Sequence, residues 1–170
     1  MAVVAATFSV SNTGCSDPVE PTPTDTTDTT GNNTDAIVNS FKLGFDQYDL
    51  NLVESETFGV YNKAADRVYI FVSGNDARNG DADFNIEIPN DSLGTYDTRD
   101  GAVFEVGTGT RGDVRREEFS ADNSSVKITL TEYNPVGEKI KGTFSGTVMR
   151  GIQSVQIQNG KFEVTRLQDE

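Results

Sequence analysis

The sequence contains no histidine, and this absence excludes several common kinds of active site. Histidine is the usual general base near neutral pH, the central member of Ser-His-Asp triads and a frequent zinc ligand. Tryptophan is also absent, which removes the largest aromatic platform for stacking against sugars, although five tyrosines remain. We therefore expect no histidine-based catalysis, no cofactor and no metal ion.

Cysteine occurs once, at Cys15, so no intramolecular disulfide and no thiolate cluster can form.

Basic residues are also few, because the sequence has 14 Lys and Arg and 27 Asp and Glu, for a formal net charge of −13. A nucleic-acid-binding protein needs a basic surface to displace counterions from phosphates, so this composition argues against that class. Carboxylates are abundant, but no pair stands out by position. The sequence predicts a protein that is not an enzyme, with a carboxylate-only glycoside hydrolase as the catalytic alternative.

The first 35 residues differ in composition from the rest of the chain. Residues 2–10 form an apolar run that is too short to span a bilayer, which takes about 20 residues, and that is typical of a secretory signal. Residues 16–35 contain three prolines and a single apolar residue, so they cannot offset the entropy of ordering. The predicted parts are a signal-like segment at 1–14, an anchor cysteine with a disordered Pro/Thr/Asp linker at 15–35, and an all-β domain at 36–170.

Period-two alternation of apolar and polar residues predicts the strands at the C-terminal end. Apolar residues alternate with polar ones on both sides of Asn159-Gly160. Asn-Gly is a strong signal for a two-residue hairpin loop with both residues at positive φ. The predicted hairpin pairs Gln158 with Lys161, Ile157 with Phe162, and Val155 with Val164.

A second hairpin is predicted around Asn134-Pro135-Val136-Gly137, which has Asn, Pro and Gly at the first, second and fourth turn positions. Gly137 is the expected bulge residue of a type I turn. Alternating residues on both sides then place Ile128 opposite Phe144 and Leu130 opposite Gly142.

The remaining strands are predicted from shorter patterns. Residues 68–72 are apolar at every position, which indicates a central strand, and residues 84–88 alternate before Pro89 ends the strand. Further strands are expected near 40–46, 50–60 and 101–106, and a hairpin loop at Asn79-Gly80. No segment shows a helical stripe. We predict an all-β fold, a single antiparallel β-sandwich or barrel-like domain of roughly eight or nine strands.

Cys15 follows a short apolar run and Gly14, and it precedes a polar linker. This arrangement resembles a bacterial lipoprotein processing site, although Asn12 stands where that motif usually has an aliphatic residue. The resemblance implies that Cys15 is the acylated N-terminus of the mature protein. The next residues, Ser16-Asp17-Pro18-Val19-Glu20, resemble the acidic signal that sends some Gram-negative lipoproteins to the cell surface. We expect an outer-membrane location at the cell surface, with the periplasmic face as the alternative.

Three short motifs resemble an O-glycosylation signal of exported proteins in the same kind of bacteria. They are Asp25-Thr26-Thr27, Asp28-Thr29-Thr30 and Asp91-Ser92-Leu93. The resemblance implies that Thr26, Thr29 and Ser92 are candidate modification sites.

The C-terminal third carries a wider resemblance. Ile140-Lys-Gly142-Thr-Phe144-Ser-Gly146, followed by Ile157-Gln-Asn159-Gly160-Lys-Phe162, resembles a family of small bacterial surface lipoproteins of unknown function. The shared residues are strand and turn residues, so the resemblance implies fold and location and no activity.

Together these patterns predict a non-catalytic, lipid-anchored cell-envelope protein that acts by binding or as a structural component. Its expected partners are the outer membrane, through lipid on Cys15, and an envelope protein or polysaccharide. The alternative is a polymerising surface-structure subunit that keeps residues 2–10 as a strand completing a neighbouring sheet.

Overall fold

The computed structural model describes residues 39–170, and in this range the protein is all-β with two short 3₁₀ turns, Glu54–Glu56 and Thr98–Asp100. Within the same range no helix is long and apolar enough to cross a membrane. The predictions for Cys15, for the linker and for the apolar run at 2–10 concern residues outside those described. The strands are β1 (Ser40–Leu43), β2 (Asp46–Asp49), β3 (Asn51–Leu52), β4 (Phe58–Asn62), β5 (Arg67–Asp76), β6 (Gly80–Pro89), β7 (Gly94–Asp97), β8 (Val103–Thr108), β9 (Glu117–Ser120), β10 (Val126–Tyr133), β11 (Lys139–Arg150) and β12 (Gln153–Arg166).

The twelve strands form one continuous sheet that folds over into two layers. A six-stranded layer has the order β2-β1-β12-β11-β10-β7, and a five-stranded layer has the order β4-β5-β6-β8-β9, with β3 paired to β5. The layers join at both sides, because β11 and β12 are long enough to belong to both. At one side Met149 of β11 pairs with Ser120 of β9. At the other, Thr165 and Arg166 of β12 pair with β4.

This architecture confirms the predicted all-β fold and differs from the prediction in two details. Twelve strands form where about eight or nine were expected, because several short segments pair independently. The pairing between β12 and β4 is parallel, through Thr165 with Phe58 and Arg166 with Gly59. The sheet is therefore mixed at this seam, whereas the other strand pairs are antiparallel as predicted.

The core lies between the two layers and is rich in phenylalanine. Phe41 and Phe144 from the six-stranded layer meet Phe84 and Phe104 from the five-stranded layer, and all four are at most 2% exposed. The ring centroids of Phe84 and Phe144 lie 4.9 Å apart, and those of Phe104 and Phe144 lie 4.8 Å apart. Such contacts between large aromatic rings contribute strongly to the stability of a small domain.

The hairpin of β10 and β11 confirms the predicted register, with Ile128 opposite Phe144 and Leu130 opposite Gly142. Gly137 has a φ of 91°, as expected for the bulge residue. The hydrogen-bonded turn begins one residue later than predicted, since the Glu138 N–H donates to the Pro135 carbonyl at 3.0 Å. A register shift between Leu130 and Glu132 compensates for this displacement.

The predicted hairpin at Asn159-Gly160 was wrong. Both residues lie inside the continuous strand β12, which pairs with β11 along its whole length. Between the pairs Phe144–Gly160 and Gly146–Ile157, β12 has one residue more than β11. Asn159, with a φ of 54°, is therefore part of a β-bulge. The extra residue shifts the alternation, so Ile157 and Phe162 are both buried as predicted although they do not face each other.

The predicted hairpin at Asn79-Gly80 is confirmed, because Asp76 pairs with Gly80 across the turn between β5 and β6. The Asp76 carboxylate accepts hydrogen bonds from the backbone N–H groups of Asp49, Arg78 and Asn79 at 2.8–3.0 Å. Burial raises the pKa of Asp76, but these three hydrogen bonds outweigh it and the net shift is downward. The oxygen-rich loop is thus satisfied by the protein's own amides.

Candidate functional site

The outer face of the five-stranded layer carries a row of side chains that crosses all five strands. The strand register places Phe58 beside Phe71, Phe71 beside Asn85, Asn85 beside Glu105, and Glu105 beside Ser120. Alternate residues of each strand point inward, so these five share the opposite face. Strands lie about 4.8 Å apart, so the row extends over roughly 19 Å.

Two adjoining clefts follow this row, with volumes of 570 and 190 Å³. Both are lined by Asp83, Asn85 and Arg111, so they form one continuous depression. We call it the outer-face groove. It runs from Phe58 and Phe71 at one end to the carboxylates of β8 and β9 at the other.

The first end of the groove is aromatic. The rings of Phe58 and Phe71 lie with their centroids 5.0 Å apart at an interplanar angle of 40°, and both side chains are half-buried. Val60 and Tyr69 are the next cross-strand pair on the same face. This end therefore presents apolar ring surface to the groove without contributing to the core between the layers.

The centre of the groove is an ion pair with little exposure. Arg116 Nη2 donates to both carboxylate oxygens of Asp83 at 2.7 and 2.8 Å, and the two side chains are 11% and 12% exposed. Arg116 also donates to the Gly109 carbonyl at 2.9 Å and to Glu118 at 3.3 Å. Burial lowers the pKa of Arg116, but its bonds to Asp83 and Glu118 outweigh that effect, so the guanidinium is a permanent cation.

A glycine at position 107 leaves space for the Arg116 guanidinium. Gly107 of β8 faces the groove, and a Cβ at this position would overlap the Arg116 guanidinium group and lie 3.0 Å from Asp83 Oδ1. The segment that carries Arg116, between β8 and β9, also places Arg111 with its Nη2 3.4 Å from Asp83. Arg111 is 69% exposed, so its guanidinium is available to a ligand as well as to Asp83.

The far end of the groove is acidic and polar. Glu105, Glu118 and Asp122 line it together with Ser120, whose hydroxyl donates to Asp122 at 2.9 Å. The Glu118 side chain is 79% exposed. Within residues 39–170, no group of three or more His, Cys, Asp or Glu is arranged to hold a metal ion. This end offers hydrogen-bond acceptors with a negative field, and the groove as a whole combines ring surface, fixed cations and carboxylates.

Of the modification sites predicted from the sequence, Ser92 lies within the described residues. It is exposed in the loop between β6 and β7, where its N–H donates to Asn90 Oδ1 at 3.0 Å and its carbonyl accepts from the Tyr96 hydroxyl. Thr26, Thr29 and Cys15 lie outside the described part of the chain. Ser92 does not line the groove.

The groove residues were missed by sequence reasoning, and two signals could have revealed part of the site. Phe71 stands at a position whose neighbours in the strand are also apolar, and such a run predicts burial on both faces. The run Arg111, Arg115 and Arg116 is the densest group of basic residues in an acidic chain. No protein-family model, curated protein or solved structure matches the chain.

Proposed function

We propose that the protein is a non-catalytic component of the bacterial cell envelope, anchored by lipid on Cys15, whose β domain binds a polysaccharide in the outer-face groove. The observation that carries the proposal is the composition of this groove. It sets an aromatic pair, Phe58 and Phe71, in line with amide, carboxylate and guanidinium groups across five strands.

A sugar ring has a face of C–H groups and an edge of hydroxyl groups. The half-buried phenylalanine rings suit the C–H face, while Asn85, Glu105 and Arg111 can bond the hydroxyls, since each offers charged or polar atoms in the groove. The length supports a polymer rather than a single sugar, because roughly 19 Å accommodates several sugar units. The formal charge of −13 favours a neutral polysaccharide over an acidic one.

Affinity gel electrophoresis of the full chain through gels that contain soluble glucan, mannan or xylan tests this proposal. At least one of these neutral polymers should retard the protein. Phe71→Ala should weaken the retardation by about tenfold or more, since it removes half of the aromatic end.

Phe45→Ala is a matched control, because Phe45 is an exposed phenylalanine outside the groove. Its removal should leave the retardation by polysaccharide unchanged. Loss of retardation in both variants, or in neither, would contradict the role of the groove. Release of reducing ends from the same polymers would contradict the non-catalytic part of the proposal and favour the glycoside hydrolase alternative.

A further inference from the structure

Three loops of the domain lie at the same end. The turn from β11 to β12 meets β9 there, through the ion pair of Arg150 with Glu117. The β1–β2 turn lies beside the start of β12, since the Gly44 N–H donates to the Gln156 carbonyl at 2.8 Å. The segment between β8 and β9 begins at Gly109, whose N–H donates to Asp81 of the β5–β6 hairpin at 2.7 Å.

Each of these three loops carries one large apolar residue that is completely exposed. Phe45 in the β1–β2 turn is 99% exposed, Val114 in the β8–β9 segment 99%, and Ile152 in the β11–β12 turn 102%. Each has polar or glycine neighbours in the chain, namely Gly44 and Asp46, Asp113 and Arg115, and Gly151 and Gln153. Elsewhere in the described chain, exposed large apolar residues reach at most 62%, at Leu93.

The backbone does not require these apolar residues. Gly44 and Gly151 occupy the first central positions of two-residue turns, with φ of 61° and 59°. This is the position of a Gly-X hairpin loop that requires a positive φ and therefore favours glycine. Phe45 and Ile152 occupy the second positions, where the turn does not require a large apolar side chain. Because these side chains bury no surface in the domain, they contribute nothing to its core.

We propose that Phe45, Val114 and Ile152 insert into a lipid surface and orient the domain on the membrane. The three side chains are separate points on separate loops, and they do not form a continuous patch. A protein partner needs a contiguous, complementary surface of about 800 Å² per side. A bilayer interface accepts isolated apolar side chains without shape complementarity, because its acyl region is fluid.

The charges beside two of these residues, Val114 and Ile152, support a zwitterionic lipid surface. Arg115 is paired with Asp113 at 2.9 Å, and Arg150 is paired with Glu117, so the residues beside Val114 and Ile152 are locally neutral. The chain as a whole is acidic and would be repelled by anionic lipid. The inference rests on the proposed envelope location, because a lipid anchor on Cys15 would hold the domain near a membrane.

The absence of tryptophan from the chain allows a direct test. The full chain is prepared with Cys15→Ser, so that no acyl anchor is present, and mixed with phosphatidylcholine vesicles. Phe45→Trp and Ile152→Trp should each show blue-shifted emission with vesicles and quenching by brominated acyl chains. Val136→Trp, in the β10–β11 turn at the opposite end, should show neither effect.

Partitioning into the same vesicles gives the second measurement. Phe45→Ser combined with Ile152→Ser should weaken binding by at least tenfold, and binding of the parent chain should persist in high salt. Leu93→Ser combined with Val136→Ser is the matched control, since it removes two exposed apolar residues from the other end. Its binding should equal that of the parent.

Three outcomes would overturn the proposal. The first is that the parent chain does not bind vesicles, and the second is that both double variants lose vesicle binding equally. The third is concentration-dependent self-association of the parent that Phe45→Ser with Ile152→Ser abolishes, because these side chains would then contact a second copy of the chain. Phe71→Ala separates this proposal from the polysaccharide proposal. It should leave vesicle binding unchanged, so either function can fail while the other stands.

Discussion

Gly160 offers the sharpest test of how the longest strand is built. Its backbone is extended, and a Cβ there would lie 2.6 Å from Cγ of Phe144, so that ring would have to move by about 1 Å to reach normal contact distance. Phe144 cannot move freely, because its ring packs against Phe84 and Phe104 at centroid distances of 4.9 and 4.8 Å. Gly160→Ala should therefore cost roughly 1–3 kcal/mol of unfolding free energy through overpacking. For a domain of this size the melting temperature should fall by on the order of 3–12 °C.

A comparison of Gly160→Ala with Gly160→Asn distinguishes the β-bulge from a hairpin. In a hairpin Gly160 would need a positive φ, which Asn tolerates and Ala does not, so Gly160→Asn would be the milder change. In the bulge the damage comes from the Cβ itself, so both variants should lose stability. Gly160→Ala combined with Phe144→Leu should cost less than the sum of the two single changes, because the smaller side chain leaves room for the new Cβ. A melting temperature of Gly160→Ala equal to that of the parent would refute the packing argument.

Three further predictions concern charge, packing and the anchor. Hydrogen bonds from Arg99 hold the pKa of Asp97 well below its usual range, so its carboxylate stabilises the fold above about pH 4 and this stabilisation is lost as the pH falls further. Thermal melts of Asp97→Asn should therefore show a lower melting temperature than the parent at pH 7 and a shallower decline of the melting temperature into acid. Parallel pH curves for variant and parent would contradict this role of Asp97. Gly107→Ala should displace Arg116 and so lower the melting temperature and weaken polysaccharide retardation together. A change in only one of these two measurements would count against a role of Arg116 in both folding and polysaccharide binding. Cys15→Ala should move most of the protein from the membrane fraction to the soluble fraction, because without acyl chains only the weaker, reversible lipid contact of the three exposed loop residues remains, and its melting temperature should be unchanged; a free thiol on native Cys15 would contradict acylation.

The register of β10 and β11 could be predicted from sequence because two independent local signals agree there. The alternation of apolar residues and the chemistry of the Pro135 turn give the same pairing of Ile128 with Phe144. The exact turn could not be predicted, because a bulge near Thr131 absorbs one residue and leaves the pattern unchanged.

The error at Asn159-Gly160 has a physical cause. A two-residue hairpin and a β-bulge both shift the phase of apolar alternation by one residue, so the pattern from Ile157 to Phe162 fits either. Asn accepts positive φ in both structures. The two-residue turn that does connect β11 and β12 lies at Gly151-Ile152, where the large apolar residue made the sequence look unlike a turn.

The groove could not be predicted, because it depends on pairings that the local sequence does not encode. The hairpins β4–β5 and β5–β6 bring Phe58, Phe71 and Asn85 together from neighbouring segments. After β6, however, the chain crosses to the six-stranded layer as β7 and returns as β8. The position of Glu105 beside Asn85 is therefore set by a long connection, and no turn signal fixes its register.

Because the local sequence does not show which face of a strand is covered, the apolar residues with a proposed role in binding could not be distinguished from core residues. Residues 68–72 are apolar throughout, and such a run usually indicates a strand that is covered on both faces. In the structure Ile70 faces the core, whereas Phe71 faces a groove that no other layer of the described residues covers. Phe45 and Ile152 are a more extreme case, since they contact no core at all. A large apolar side chain that the fold leaves uncovered stabilises nothing within the domain, so in this protein these positions are where binding partners should be sought.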